Sequence, residues 1–128
     1  MSTTRALIID DNSMNGDVLA TLLANEGIES TTVVLPKNLA QIIGQLSPLS
    51  VVFLDLEFPS HSGFDLLKEL KEMPELHDVP IVAYSVHTSE IDTVRKAGFH
   101  SFLGKPVTAS RFAQNLRRIL DGEPIWEA

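Results

Sequence analysis

Asp10, Asp11, Asp55, Ser85 and Lys105 carry the polar chemistry of this chain, because each stands where an apolar run stops. Ala6-Leu7-Ile8-Ile9 runs into Asp10-Asp11, Val51-Val52-Phe53-Leu54 into Asp55, Ile81-Val82-Ala83-Tyr84 into Ser85, and Ser101-Phe102-Leu103-Gly104 into Lys105-Pro106. Short apolar runs of this kind read as strands buried on both faces. If the strands are parallel neighbours, three carboxylates, a hydroxyl and an ammonium converge on one sheet edge, outside the carboxyl ends where open α/β sheets bind ligands. Carboxylates held within about 4 Å repel by roughly 4 kcal/mol per pair at an effective dielectric near 20, so the cluster calls for a cation. Oxygen donors without thiolates suit a hard octahedral ion, Mg²⁺ first and Mn²⁺ second. An ion with open positions can also hold a phosphoryl group while a carboxylate attacks phosphorus. Asp55 is then the candidate nucleophile, Lys105 its counter-charge and Ser85 a donor to a phosphoryl oxygen.

Taken singly, each residue has a plainer reading. Asp10-Asp11 can cap a helix and complement its dipole, Ser85 can sit in a turn, and Lys105 can be solvated. Their joint occurrence at four strand ends, in this order, favours the chemical reading.

The elements between them alternate. Asn12 and Ser13 offer an N-cap to a helix with Val18, Leu19, Leu22 and Leu23 on one face, which Gly27 stops. Ser30 to Leu35 is a more polar strand suited to a sheet edge. Leu39, Ile42, Ile43 and Leu46 fall at helical spacing before Pro48, and Leu66, Leu67, Leu70 and Met73 do so before Pro74. Ser89 to Ala97 is the weakest helix, anchored by Ile91, Val94 and Ala97 alone, and therefore cheap to shift. Phe112, Leu116, Ile119 and Leu120 mark the last helix, stopped by Gly122 and Pro124. Five βα units with right-handed crossovers predict a five-stranded parallel sheet with helices on both faces. Strand order 2-1-3-4-5 puts the polar strand at an edge and sets the Asp10 and Asp55 strands side by side.

At 128 residues the chain reads as a single domain, 1–128, with its core over about 4–121 and a short tail, 122–128. It has no cysteine, so neither a disulfide framework nor a thiolate metal site is available. A formal net charge of −7 argues against broad affinity for nucleic acid or anionic membrane. No apolar stretch approaches the length of a membrane span, and the start shows no apolar leader, so the expectation is a cytoplasmic protein. His61, His77, His87 and His100 show no metal-ligand spacing.

Asp10-Asp11-Asn12, Asp55 with Pro59 and Gly63 after it, Ser85, and Lys105-Pro106 preceded by Phe102 together resemble the receiver domain of two-component response regulators. The likeness spans essentially the whole chain. It implies a flavodoxin-like fold, Asp55 as phospho-acceptor, and Mg²⁺ held by Asp10, Asp11, Asp55 and the backbone carbonyl of Glu57. It further implies Lys105 as the phosphate partner with a cis bond to Pro106, Ser85 as the switch hydroxyl and Phe102 as the switch aromatic. The phosphoryl donor would be a histidine kinase or phosphotransfer protein. Output would pass to a downstream protein through the fourth helix, fifth strand and fifth helix, from a monomer or a phosphorylation-linked dimer. Such a domain is not an enzyme beyond its own phosphoryl transfer and dephosphorylation.

Some positions depart from that pattern. Val86 follows the switch hydroxyl where the family usually has Ala, and Glu57 and His87 occupy the two positions that commonly tune loss of the phosphoryl group. Phe99 stands where a small residue is common, and Phe102 lacks the hydroxyl of the frequent Tyr. The competing readings are a phosphorylation-independent pseudo-receiver, a flavin-binding flavodoxin-like protein and a phosphatase with an Asp nucleophile. The intact acid pair, Asp55 and Lys105 oppose the first. The acidic first βα turn opposes flavin, which needs backbone and hydroxyl donors there. Glu57, where such phosphatases carry an aspartate, opposes the third.

Overall fold

A computed structural model describes residues 4–10, 13–34, 37–56, 63–105 and 107–127. The apolar runs form strands β1 (Arg5–Ile9), β3 (Val51–Asp55), β4 (Ile81–Ser85) and β5 (Ser101–Gly104), and the polar run forms β2 (Glu29–Val33). Between and after them lie helices α1 (Ser13–Asn25), α2 (Leu39–Leu46), α3 (Gly63–Lys71), α4 (Ile91–Ala97) and α5 (Ala109–Leu120), with short 3₁₀ turns at Pro74–Leu76 and Thr88–Glu90. A short strand β6 (Trp126–Glu127) follows α5. The sheet is parallel throughout, in the order β2-β1-β3-β4-β5-β6.

The expected order 2-1-3-4-5 is therefore present, extended by a sixth strand where five were expected. Ile125-Trp126-Glu127 is too short to carry a strand signal, and its conformation follows from the edge that β5 offers it. Of the predicted second strand, Val34 falls outside β2, which begins at Glu29, and Leu35 lies outside the described residues. Its exposed and half-buried pattern matches an edge strand.

Alternation along each strand sorts the side chains between two cores. Leu7, Ile9, Val52, Leu54, Ala83 and Phe102 share one core with residues of α2, α3 and α4. Ala6, Ile8, Val51, Phe53, Val82, Tyr84 and Leu103 share the other with residues of α1 and α5. This is the period-2 geometry of a sheet buried on both faces. Val18 departs from expectation: it is 57% exposed, and among the described side chains of α1 Leu19 and Leu23 are the deeply buried ones. In α4 only Val94 is fully buried, in keeping with its sparse apolar anchors. Gly98 ends that helix at φ 104°, a left-handed conformation that favours glycine.

Gly63 packs against the strand that carries Asp55. A Cβ there would meet Leu56 Cδ2 at 2.7 Å and Leu56 Cα at 3.3 Å. Gly63→Ala is expected to lower stability by about 1–3 kcal/mol through this overpacking, read as a shift in the urea midpoint.

After α5, Arg118 Nε donates to Glu123 Oε2 at 2.9 Å. That hydrogen bond and the guanidinium charge hold the Glu123 carboxyl below its ordinary range. The small stabilisation from this exposed pair is present above the unfolded carboxyl's pKa and is lost as pH falls through the lower folded value.

Candidate functional site

Register brings the chemistry together. Ile9 pairs with Leu54, so Asp10, the next residue, lies level with Asp55, and Asp55 pairs with Tyr84. Asp10, Asp55, Tyr84 and Lys105 continue the strand positions that face the α1 and α5 core, so all four side chains emerge on that side of the carboxyl edge. The main chain holds them in place: the Asp10 amide donates to the Val33 carbonyl at 3.0 Å, and the Lys105 amide to the Ser85 carbonyl at 2.9 Å.

Asp10 and Asp55 are both buried, at 0% and 1% exposure. Burying a carboxylate is costly unless it finds polar partners, and each of these has one. Lys105 Nζ donates to Asp55 Oδ1 at 3.1 Å, with the Lys105 side chain 12% exposed. The Tyr84 hydroxyl donates to Asp10 Oδ2. Lys105 Nζ also lies 4.5 Å from the centroid of the Tyr84 ring, so one aromatic residue touches both halves of the site.

Ser85 and Phe102 occupy the other side of the sheet. Ser85 is buried and its Oγ accepts the His87 amide at 2.9 Å. Phe102 is fully buried within the core beneath it. Val86 and His87 are both exposed on the loop after β4. Thus Asp55 and Lys105 meet directly, Tyr84 links Asp10 to them, Ser85 lies at the same edge with its hydroxyl accepting from the loop backbone, and Phe102 packs inward. Asp11, Glu57, Pro59 and the peptide to Pro106 lie outside the described residues, as does His61.

Tyr84 is the functional residue the sequence reading passed over. It is the one tyrosine in the chain, yet inside an apolar run it reads as core. A buried phenol usually seeks a partner, and here the partner is an acid of the cluster. Tyr84→Phe should cost about 1–3 kcal/mol, the penalty for leaving a buried charged acceptor short of a donor, measured by urea unfolding in metal-free buffer.

The donor chemistry fits a hard divalent cation: two buried carboxylates stand side by side with a single lysine beside them. Among the described residues no group of three acids or histidines forms a complete metal cluster, the other two expected ligands lying outside that set.

The response regulator receiver domain family matches residues 6–117. Two-component response regulator ORR7 of Oryza sativa subsp. japonica is 30% identical over 89% of this chain and 55% of its own length. Sensory transduction protein RegX3 of Mycolicibacterium smegmatis is 34% identical over 91% of this chain and 50% of its own length. The chain thus spans about half the length of these two relatives, whereas it matches 79% of ORR11. The chemotaxis protein CheY4 of Vibrio cholerae superposes with a TM-score of 0.80 at 19% identity, over 92% of this chain and 99% of that one. A CheY-like receiver domain from Methylobacillus flagellatus gives 0.80 at 24% identity, with the same coverage. At those identities the two structures speak for the flavodoxin-like fold alone. Family match, fold and motif together establish that this chain belongs to the response regulator receiver domains.

Proposed function

We propose that the chain is a phosphorylation-dependent signalling switch whose acceptor is Asp55. The observation that carries this reading is the buried Asp55 carboxylate held 3.1 Å from Lys105 Nζ, level with a second buried acid, Asp10. In the proposed reaction, an Asp55 carboxylate oxygen forms a bond to the phosphorus of a phosphohistidine on a histidine kinase or phosphotransfer protein. The phosphorus–nitrogen bond breaks, and the electron pair leaves with the imidazole. Asp10, Asp11, Asp55 and the Glu57 carbonyl are the residues that would hold Mg²⁺, or Mn²⁺ in its place. When bound, the ion supplies charge neutralisation for the phosphoryl oxygens. Asp55 supplies the nucleophile, and Lys105 pairs with the negative charge that arrives.

The buried placement of Ser85 above Phe102 supports a two-state readout. A phosphoryl group adds up to about two negative charges and draws the Ser85 hydroxyl from the His87 amide toward Asp55. That motion frees space for the Phe102 ring and biases the face formed by α4, β5 and α5, through which a downstream protein is contacted. Swinging the population from 1:99 to 99:1 takes about 5.5 kcal/mol of differential contact. The only chemistry assigned to the chain is its own phosphoryl transfer and dephosphorylation, with Glu57, Val86 and His87 setting the rate of loss. No described helix is long and apolar enough to cross a membrane, and a cytoplasmic setting goes with this reading.

A beryllofluoride titration tests the switch without a kinase. Trp126 lies in register with Phe102, so its fluorescence reports on that face. The expected result is a saturable change that requires Mg²⁺ and is absent in Asp55→Asn; a folded wild type with no change would defeat the reading.

A further inference from the structure

Tyr84 joins residues that the sheet sets apart. β3 lies between β1 and β4, so the phenol must cross one strand to meet Asp10. Neighbouring strands sit about 4.7–4.9 Å apart, which separates β4 from β1 by roughly 10 Å. A tyrosine and an aspartate together bridge that span, and an aliphatic residue at position 84 would not. Asp55 pairs with Tyr84 in register, and the hydroxyl passes this level to donate to Asp10 Oδ2. From the other side, Lys105 crosses β4 to reach Asp55 Oδ1, with its Nζ 4.5 Å from the centroid of the Tyr84 ring.

Packing does not require the hydroxyl. Tyr84 is 4% exposed and fills its place in the α1 and α5 core as a phenylalanine would. The ring is held by that core and by the lysine, so the phenol is aimed at the acid before anything binds. Asp10 is itself fully buried, and a hydrogen bond on one of its oxygens limits rotation of the carboxylate about its Cβ–Cγ bond. Outer partners of this kind orient carboxylates that ligate metal ions.

We propose that Tyr84 is a positioning residue of the acidic edge: its hydroxyl orients the Asp10 carboxylate for a divalent cation and so raises the affinity of the site for that cation. The inference rests on the reading of Asp10 as a cation ligand. Two roles for the hydroxyl differ in sign. A donor that only offsets buried charge is replaceable by a cation, so its loss would tighten cation binding. A donor that orients the ligand acts the other way, and its loss weakens binding by about ten- to a hundredfold.

The test is Tyr84→Phe in the full chain, which removes the hydroxyl and keeps the ring. Mn²⁺ uptake is followed by the electron paramagnetic resonance signal of the free ion, and folding by amide NMR. The ring-current shift of the Lys105 ε-methylene should persist in the variant, while the Mn²⁺ dissociation constant rises at least about tenfold. By linkage, the stability deficit of the variant should then widen when Mg²⁺ saturates both proteins, by about 1.4 kcal/mol for each tenfold. Equal or tighter Mn²⁺ binding by a folded variant, or a deficit that narrows with Mg²⁺, would overturn the proposal. Wild type gives an independent reading should the variant fail to fold. Tyr84 is the single tyrosine of the chain, so the tyrosine bands of its ultraviolet resonance Raman spectrum report this hydroxyl alone. They should change saturably as Mg²⁺ is added and still mark the hydroxyl as a donor. Bands that do not change, or bands of a phenol that has lost its acceptor, would overturn the proposal. A folded wild type that takes up no Mn²⁺ would overturn the cation reading and the proposal together, whereas wild-type uptake with an unaffected variant would overturn the positioning role alone.

Discussion

Asp55→Asn is expected to leave the fold intact and to remove all phosphoryl uptake from acetyl phosphate, read as the loss of the one-phosphoryl mass increment in the intact protein. The amide is nearly isosteric with the carboxylate, so packing at the end of β3 is retained. Its oxygen carries no full charge and its nitrogen is no nucleophile, so the attack on phosphorus loses its electron pair. The change also removes one of the negative charges that crowd this edge, so the variant should not unfold at a lower urea concentration than wild type by more than the loss of the Lys105 contact explains. An adduct of undiminished yield on Asp55→Asn would move the acceptor elsewhere.

Lys105→Met is expected to have the larger effect on stability. The lysine is 12% exposed and the Asp55 side chain 2% exposed, so the pair is largely shielded from water. Removing one partner of a shielded pair leaves the other charge poorly compensated, and such losses run to about 3–5 kcal/mol. Methionine keeps most of the stem, so the deficit reflects charge more than volume. The loss should be greatest in metal-free buffer. Mg²⁺ that binds the folded state alone at about a hundred times its dissociation constant restores about 2.7 kcal/mol. A urea series with and without Mg²⁺ measures both quantities. Phosphoryl uptake should also slow, because no ammonium meets the incoming charge.

The fold was legible because its signals are local. Apolar runs of four, helical stripes and proline or glycine stops each report on a few neighbouring residues, and alternation of such units leaves few topologies. The acidic edge was legible for the same reason: Asp10, Asp55 and Lys105 each end an apolar run, so parallel pairing alone brings them together. What escaped depends on register and on neighbours distant in sequence. Tyr84 sits in an apolar run, and only the pairing of β4 with β3, and of β3 with β1, aims its hydroxyl at Asp10. Trp126 and Glu127 have no periodicity to read, and they form a strand because β5 presents an open edge flanked by Arg95, Arg111 and Asn115. Val18 fits the apolar face of α1 by type, yet burial is settled by what α1 packs against, and Leu19 and Leu23 suffice. The one cis peptide among the described residues joins Ser47 to Pro48, a position the motif gave no reason to single out.

The measurement that bears most directly on the account is residue-level trapping of the acyl phosphate. Wild-type chain is treated with acetyl phosphate and Mg²⁺, reduced with borohydride, and mapped by peptide mass spectrometry. Homoserine is expected at position 55 and nowhere else, with the signal lost when Mg²⁺ is chelated. Homoserine at another carboxylate, or unmodified Asp55 in a chain shown to be folded, would contradict it and favour an interaction module that works without phosphorylation.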